Sequence, residues 1–219
     1  MSKSISALSR SKPRGRRFSD RLGVTRKVDN ANAALPAKVQ IRQFVLDTVG
    51  ADQARVFAAF AGEGQIYRKV WHQAAFYIGC DLHWKRDERL MYAADSRRVM
   101  RALPLQAFSI FDFDAYGSPW EHVVILCARR RLALGERLGL VLTEGSGLNL
   151  KFGGLPTALG QLAGLHAMPG LNRDWAYRAL LDRALGMAAL RMGGRIVKRW
   201  QATGKTGAQV NYIGLVLEG

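Results

Sequence analysis

Val56-Phe57-Ala58-Ala59-Phe60-Ala61-Gly62-Glu63-Gly64 is an apolar run that ends in a turn of small residues containing two glycines. A run this short reads as a buried strand that stops at a tight loop. Gln65-Ile66-Tyr67-Arg68-Lys69-Val70-Trp71 follows, with apolar residues at 66, 67, 70 and 71, the spacing of a helix. Strand, glycine turn and helix together open a doubly wound α/β fold. Its glycines let backbone N–H groups approach a ligand above the carboxyl end of the strand. The same glycines would also serve a plain packing turn, so the sequence that follows has to decide.

Phe76-Tyr77-Ile78-Gly79-Cys80 is a second strand-like run and ends at Asp81, 17 residues after Gly64. A carboxylate at that place can accept two hydrogen bonds from ribose hydroxyls. Arg89 to Ala94 ends in Asp95, and Phe108 to Phe113 ends in Asp114-Ala115-Tyr116-Gly117-Ser118-Pro119. Three successive apolar runs thus each close on an acid, which a generic sheet has no reason to produce.

These residues resemble the class I (Rossmann-like) methyltransferases that use S-adenosylmethionine. Phe60-Ala61-Gly62-Glu63-Gly64 is similar to their cofactor loop, and Asp81 to the acid that holds the ribose. Asp95, with Ser96 beside it, matches the acid that meets the adenine, and Leu82 or Trp84 would stack on the base. Asp114 to Pro119 resembles the Asp-Pro-Tyr/Phe-Gly-Ser-Pro loop of tRNA guanine-N2 dimethyltransferases. The resemblance spans roughly residues 38 to 218, with specificity concentrated in four short motifs. It implies a mostly parallel, seven-stranded, doubly wound sheet that closes with an antiparallel hairpin. It also implies S-adenosylmethionine as cofactor. Two positions depart from the pattern: Ala58 stands where the first strand usually carries an acid, and Ala115 where a proline is usual. Glu63, Asp112 or Asp114 would then meet the cofactor's ammonium group.

The Asp114 loop is the expected seat of the chemistry. Methyl transfer is an in-line displacement, so the nucleophile's lone pair must point at the methyl carbon. An exocyclic purine amine is a poor nucleophile because its lone pair is conjugated with the ring. Asp114 and the carbonyl of Ala115 or Tyr116, accepting its two N–H groups, would draw the nitrogen toward an attacking geometry. Tyr116 would stack on the base, Gly117 would let the backbone come close, and Ser118-Pro119 would lead into the next helix. The alternative is a strand-ending Asp114 that merely caps that helix.

Net charge is +16, which favours a polyanionic partner, RNA or DNA, over a small neutral molecule. Residues 1 to 34 form a basic arm of low periodicity that includes Arg14, Arg16 and Arg17 as expected phosphate contacts. A mitochondrial transit peptide competes for that segment, although Pro13 and Gly15 interrupt any amphipathic helix. Residues 35 to 219 are expected to form one methyltransferase domain. No uncharged run is long enough for a membrane span. Cys80 and Cys127 lie in apolar contexts, which points to a reducing, cytoplasmic setting and no metal site.

Pro36 to Val49 reads as a helix closed by Gly50 that packs beside the first strand. Arg129-Arg130-Arg131 reads as exposed, and the Gly-rich stretch up to Gly154 as a loop at the substrate mouth, where Lys151 would reach a phosphate. Gly204-Lys205-Thr206-Gly207 is no phosphate-binding P-loop: Arg199 stands where the first glycine should be, and the segment joins two strands. The leading expectation is therefore a nucleic-acid base N-methyltransferase. A catalytically inactive relative that binds nucleic acid is the alternative, and a protein-amide methyltransferase a third reading.

Overall fold

The computed structural model describes residues 34–84, 86–147, 154–165, 174–203 and 210–219. The basic arm, Lys151 and the Gly204–Gly207 turn lie outside the described residues. The described elements are α1 (Leu35–Val49), β1 (Arg55–Ala58), α2 (Gln65–Lys69), β2 (Phe76–Cys80), β3 (Met91–Tyr92), α3 (Ser96–Ala102), β4 (Ile110–Phe113), α4 (Trp120–Arg129), β5 (Arg137–Glu144), α5 (Thr157–Ala163), α6 (Asp174–Arg191), β6 (Arg195–Thr203) and β7 (Asn211–Glu218). The strands form one sheet in the order β3-β2-β1-β4-β5-β7-β6, and β7 alone runs against its neighbours. This is the expected doubly wound sheet with its terminal antiparallel hairpin.

Helices cover both faces, and the strands alternate their side chains between two cores. Phe57, Phe111, Phe113, Leu140, Leu142, Ile213 and Leu215 pack against α4, α5 and α6. Val56, Ile110, Val141 and Tyr212 face α1 and Trp71. Because β1 and β4 pair in register with Ala58 opposite Asp112, these two residues share the α1 face.

The structure differs from the sequence expectations in four places. β3 is only two residues long, since Asp87–Leu90 is spent on a turn tied down by Arg89. The helix after the glycine loop stops at Lys69 and continues as a separate 3-10 turn, Trp71–Gln73. α1 seats over β5 and β7 rather than beside β1. A Cβ on Gly214 would come within 2.7 Å of Ile41, and one on Gly139 would run into Val45, so the bare backbone at both positions admits the helix. Arg130 is buried and paired with Glu136, not exposed with Arg129 and Arg131. Among the described residues no helix is long and apolar enough to cross a membrane.

Candidate active site

β1, β2, β4 and β5 run parallel and end together, so the loops that follow them share one rim of the sheet. On this rim the glycine loop turns through Gly62 (φ 48°) and Gly64 (φ 79°), left-handed conformations that favour glycine. Its orientation is set from two sides. The Asp81 carboxylate accepts the Gly62 N–H at 2.9 Å. The Arg89 guanidinium donates to the Ala61 and Gly62 carbonyls, both at 2.9 Å, while Asp87 anchors its other side.

Asp81 also accepts the His83 N–H at 2.8 Å. A carboxylate offers about four acceptor positions, so two remain on this half-buried group, enough for a pair of vicinal hydroxyls. Leu82, 66% exposed, presents an apolar surface next to it. This side of the rim therefore fits the ribose and base of a nucleoside cofactor. Asp95 is more committed. It caps α3 by accepting the Arg97 N–H, and the Arg97 side chain holds both of its oxygens, which keeps the carboxyl down at about 2.

Phe60 and Ser96, both expected near the cofactor, meet through a residue that the sequence did not suggest. The His122 ring lies against Phe60 (centroids 4.7 Å apart) and Phe113 (5.4 Å), and its Nε2 is 2.8 Å from Ser96 Oγ. Burial, helped by the nearby Arg97 charge, lowers its pKa to about 4, so the ring is neutral in ordinary buffers.

Asp112, the expected partner of a cofactor ammonium, has both of its oxygens engaged inside the protein. Arg42 donates to them from Nε and Nη2 at 2.7 Å each, and the Trp71 indole N–H adds a third bond at 2.7 Å. With Arg42 fully buried and Asp112 3% exposed, this carboxylate is a structural counter-ion. Nothing on β1 replaces it, because Ala58 is its neighbour on that face.

Asp114 lies two residues further along and is partly buried, its side chain 17% exposed with Oδ1 shielded from solvent. Lys38 Nζ stands 2.8 and 2.9 Å from its two oxygens, and Arg42 Nη2 stands 3.5 Å away. Burial would raise its pKa, but Arg42 and then Lys38 outweigh that and hold the carboxyl below its ordinary range. Neither cation was anticipated. The available signal was their i, i+4 spacing on α1 among Ile41, Val45 and Leu46, which sets charges on a buried helical stripe.

Beyond Asp114 the chain exposes Tyr116 (75%) and turns through Gly117 (φ 100°). The Gly117 carbonyl accepts the Gly145 N–H at 2.6 Å, which ties this loop to the one after β5. Behind it, buried Glu144 takes the Trp120 and Ser146 N–H groups and the Tyr177 hydroxyl. Burial raises the Glu144 pKa. Gly62, Asp81 and Asp114 thus lie on one rim, with Tyr116 and Ser118 beyond them. Arg14, Arg16, Arg17 and Lys151, the expected phosphate contacts, lie outside the described residues. Among the described residues no group of His, Cys, Asp and Glu could hold a metal ion.

No protein-family model matches the chain, and no curated protein matches it. Solved structures do resemble it. One is the N-methyltransferase NodS from Bradyrhizobium japonicum WM9, in complex with S-adenosyl-L-homocysteine: 10% identity, TM-score 0.52, covering 87% of this chain and 89% of that one. Another is Trm1 from Pyrococcus horikoshii, in complex with S-adenosyl-L-methionine: 15% identity, TM-score 0.53, 84% of this chain and 54% of the other. A third is TYW2 from M. jannaschii, in complex with AdoMet: 11% identity, TM-score 0.53, 88% and 78%. The fold is that of the class I methyltransferases.

Proposed function

We propose that this methyltransferase fold is catalytically active, takes S-adenosylmethionine, and methylates an exocyclic amino group of a nucleic-acid base. The observation that carries the reading is Asp114, an ionised carboxylate at the end of β4 followed by a solvent-facing Tyr116, on the same rim as the glycine loop. When bound, the cofactor supplies an electrophilic methyl group. Gly62, Glu63, Gly64, Asp81 and Leu82 would hold it, with Phe60, Ala61, Asp95 and Ser96 shaping the adenine side.

Asp114 and a carbonyl of Ala115 or Tyr116 accept the two N–H groups of the target amine and turn its lone pair toward the methyl. Lys38 and Arg42 keep Asp114 ionised until the amine arrives, and Asp114 can then take the proton the nitrogen loses. Tyr116 stacks on the base. Net charge +16 favours a polyanion, and RNA is the preferred polymer because the Asp114 loop is similar to that of tRNA guanine-N2 dimethyltransferases. The basic arm that precedes α1 would add phosphate contacts in a cytoplasmic setting.

A second reading has an observation in its favour. Ala58 and Asp112 leave the cofactor's ammonium group without an acid on β1, and Lys38 occupies the acceptor face of Asp114. An inactive nucleic-acid-binding relative would look like this. Isothermal titration with S-adenosylmethionine, followed by nucleoside mass spectrometry of RNA and DNA incubated with protein and cofactor, separates the two. We expect heat of binding, a methylated base, and at least a ~100-fold loss of transfer in Asp114→Ala. Nucleic-acid binding without cofactor heat would establish the inactive reading.

A further inference from the structure

α6 and the edge strand β6 enclose a groove of about 400 Å³ lined by Arg178, Leu181 and Asp182 from the helix and Arg199, Gln201 and Thr203 from the strand. The strand's pleat puts these residues together. Arg199 pairs with Leu215 and Gln201 with Ile213, both of which face the α6 core, so the side chains on that face of β6 look toward the helix. Arg199 is fixed in the groove by Asp182 (2.6 Å) and Gln201 (2.5 Å). Arg178 is exposed and makes no ion pair with any described residue. The groove therefore carries two guanidinium groups against one carboxylate, above an apolar floor at Leu181.

Its Thr203 end lies at the same end of the sheet as the Asp114 loop. Thr203 pairs with Asn211, and Asn211 pairs with Glu144 at the end of β5, the strand next to the one that ends at Asp114. Arg195 and Lys198 of β6 can be explained as charges that keep an edge strand from pairing with another chain. That explanation does not cover Arg178, which belongs to the helix.

We propose that this groove is the track along which the phosphodiester backbone of the substrate leaves the active site, with Arg178 and Arg199 as phosphate ligands. The proposal rests on the nucleic-acid reading above. Planar guanidinium forks match phosphate oxygens. Asp182 positions Arg199 and gives up that contact when a phosphate binds.

The test uses the full chain with a fluorescein-labelled RNA stem-loop, a DNA duplex of equal length as the second arm, and a salt titration of affinity. Arg178→Gln/Arg199→Gln should weaken RNA binding ~10-fold near 0.1 M salt and lower the slope of log Kobs against log[salt] by about 1.5. Asp182→Asn should tighten binding by roughly twofold to threefold, because it removes a repulsive charge and frees Arg199. A merely structural role for the pair would not produce that opposite sign. Cofactor heat should be unchanged in all variants. If wild type binds RNA with steep salt dependence and the double variant keeps its slope, the groove is wrong and the catalytic reading stands. If wild type binds neither polymer, the groove and the nucleic-acid substrate fall together, while cofactor heat still reports on the methyltransferase reading. A double variant that changes oligomeric mass instead of RNA affinity would mark the edge as a surface for a second copy and overturn the proposal.

Discussion

The two sides of the rim use the same residue type in opposite ways. On the β2 side, Asp81 is half-buried, bonded among the described residues to two backbone N–H groups, and keeps acceptor capacity. On the β4 side, Asp112 and Asp114 share two cations from α1, and Asp112 is sealed off completely. A carboxylate at the end of a strand is therefore no sign of a ligand contact by itself. What decides is whether the helix packed over that strand brings a cation, because a buried charge must be paired.

The largest expected effect breaks this contrast outright. Arg42→Met leaves Asp112 buried with only the Trp71 N–H, and should cost about 3–5 kcal/mol of stability in urea unfolding. Adding Asp112→Leu should return much of that loss, since an apolar pair of similar volume replaces the ion pair. No recovery in the double variant would mean that the bond Asp112 accepts from the buried Trp71 N–H matters as much as the ion pair.

Next in size is a pH effect centred on His122, between the two sides. His122 is held near 4 in the fold and titrates near 6.5 when unfolded, so the unfolded chain binds more protons between those values. Its contribution to stability is full above about pH 6.5 and is lost as pH falls through about 4, with a slope approaching 1.4 kcal/mol per pH unit. Denaturant titrations of wild type and His122→Gln across that window should differ in slope. Parallel curves would mean the ring is not kept neutral by the fold.

The smallest change sharpens the comparison. Asp81→Asn keeps an oxygen for the Gly62 N–H but removes the charge, so the fold should hold while S-adenosylmethionine binds about 10-fold more weakly by calorimetry, roughly 1.4 kcal/mol. Unchanged affinity would reduce Asp81 to a brace for the loop.

The strand-ending motifs were legible because each is local. Gly62, Gly64 and Asp81 lie within 20 residues of one another, and their spacing alone places them on one rim. The strand-like runs followed from the same short-range patterns, while the full seven-stranded order came from the resemblance to class I methyltransferases. The counter-ions were not legible in that way, since Arg42 meets Asp112 across 70 residues and only the packed helix brings them together. Arg130 misled for a related reason: in a run of three arginines, burial of the middle one depends on Glu136 across a turn. The seat of α1 over β5 and β7 had a visible cue in Gly139 and Gly214, whose missing side chains clear the floor for a helix.

That cleared floor also links distant positions mechanically. α1 is a rigid rod of 15 residues, some 22 Å long, and Lys38 sits near the end that overhangs the Asp114 carboxylate. A methyl group added at Gly214, beneath the rod, would tilt it like a shim under one leg of a table. The ammonium would swing away from Asp114 without any change to the site itself.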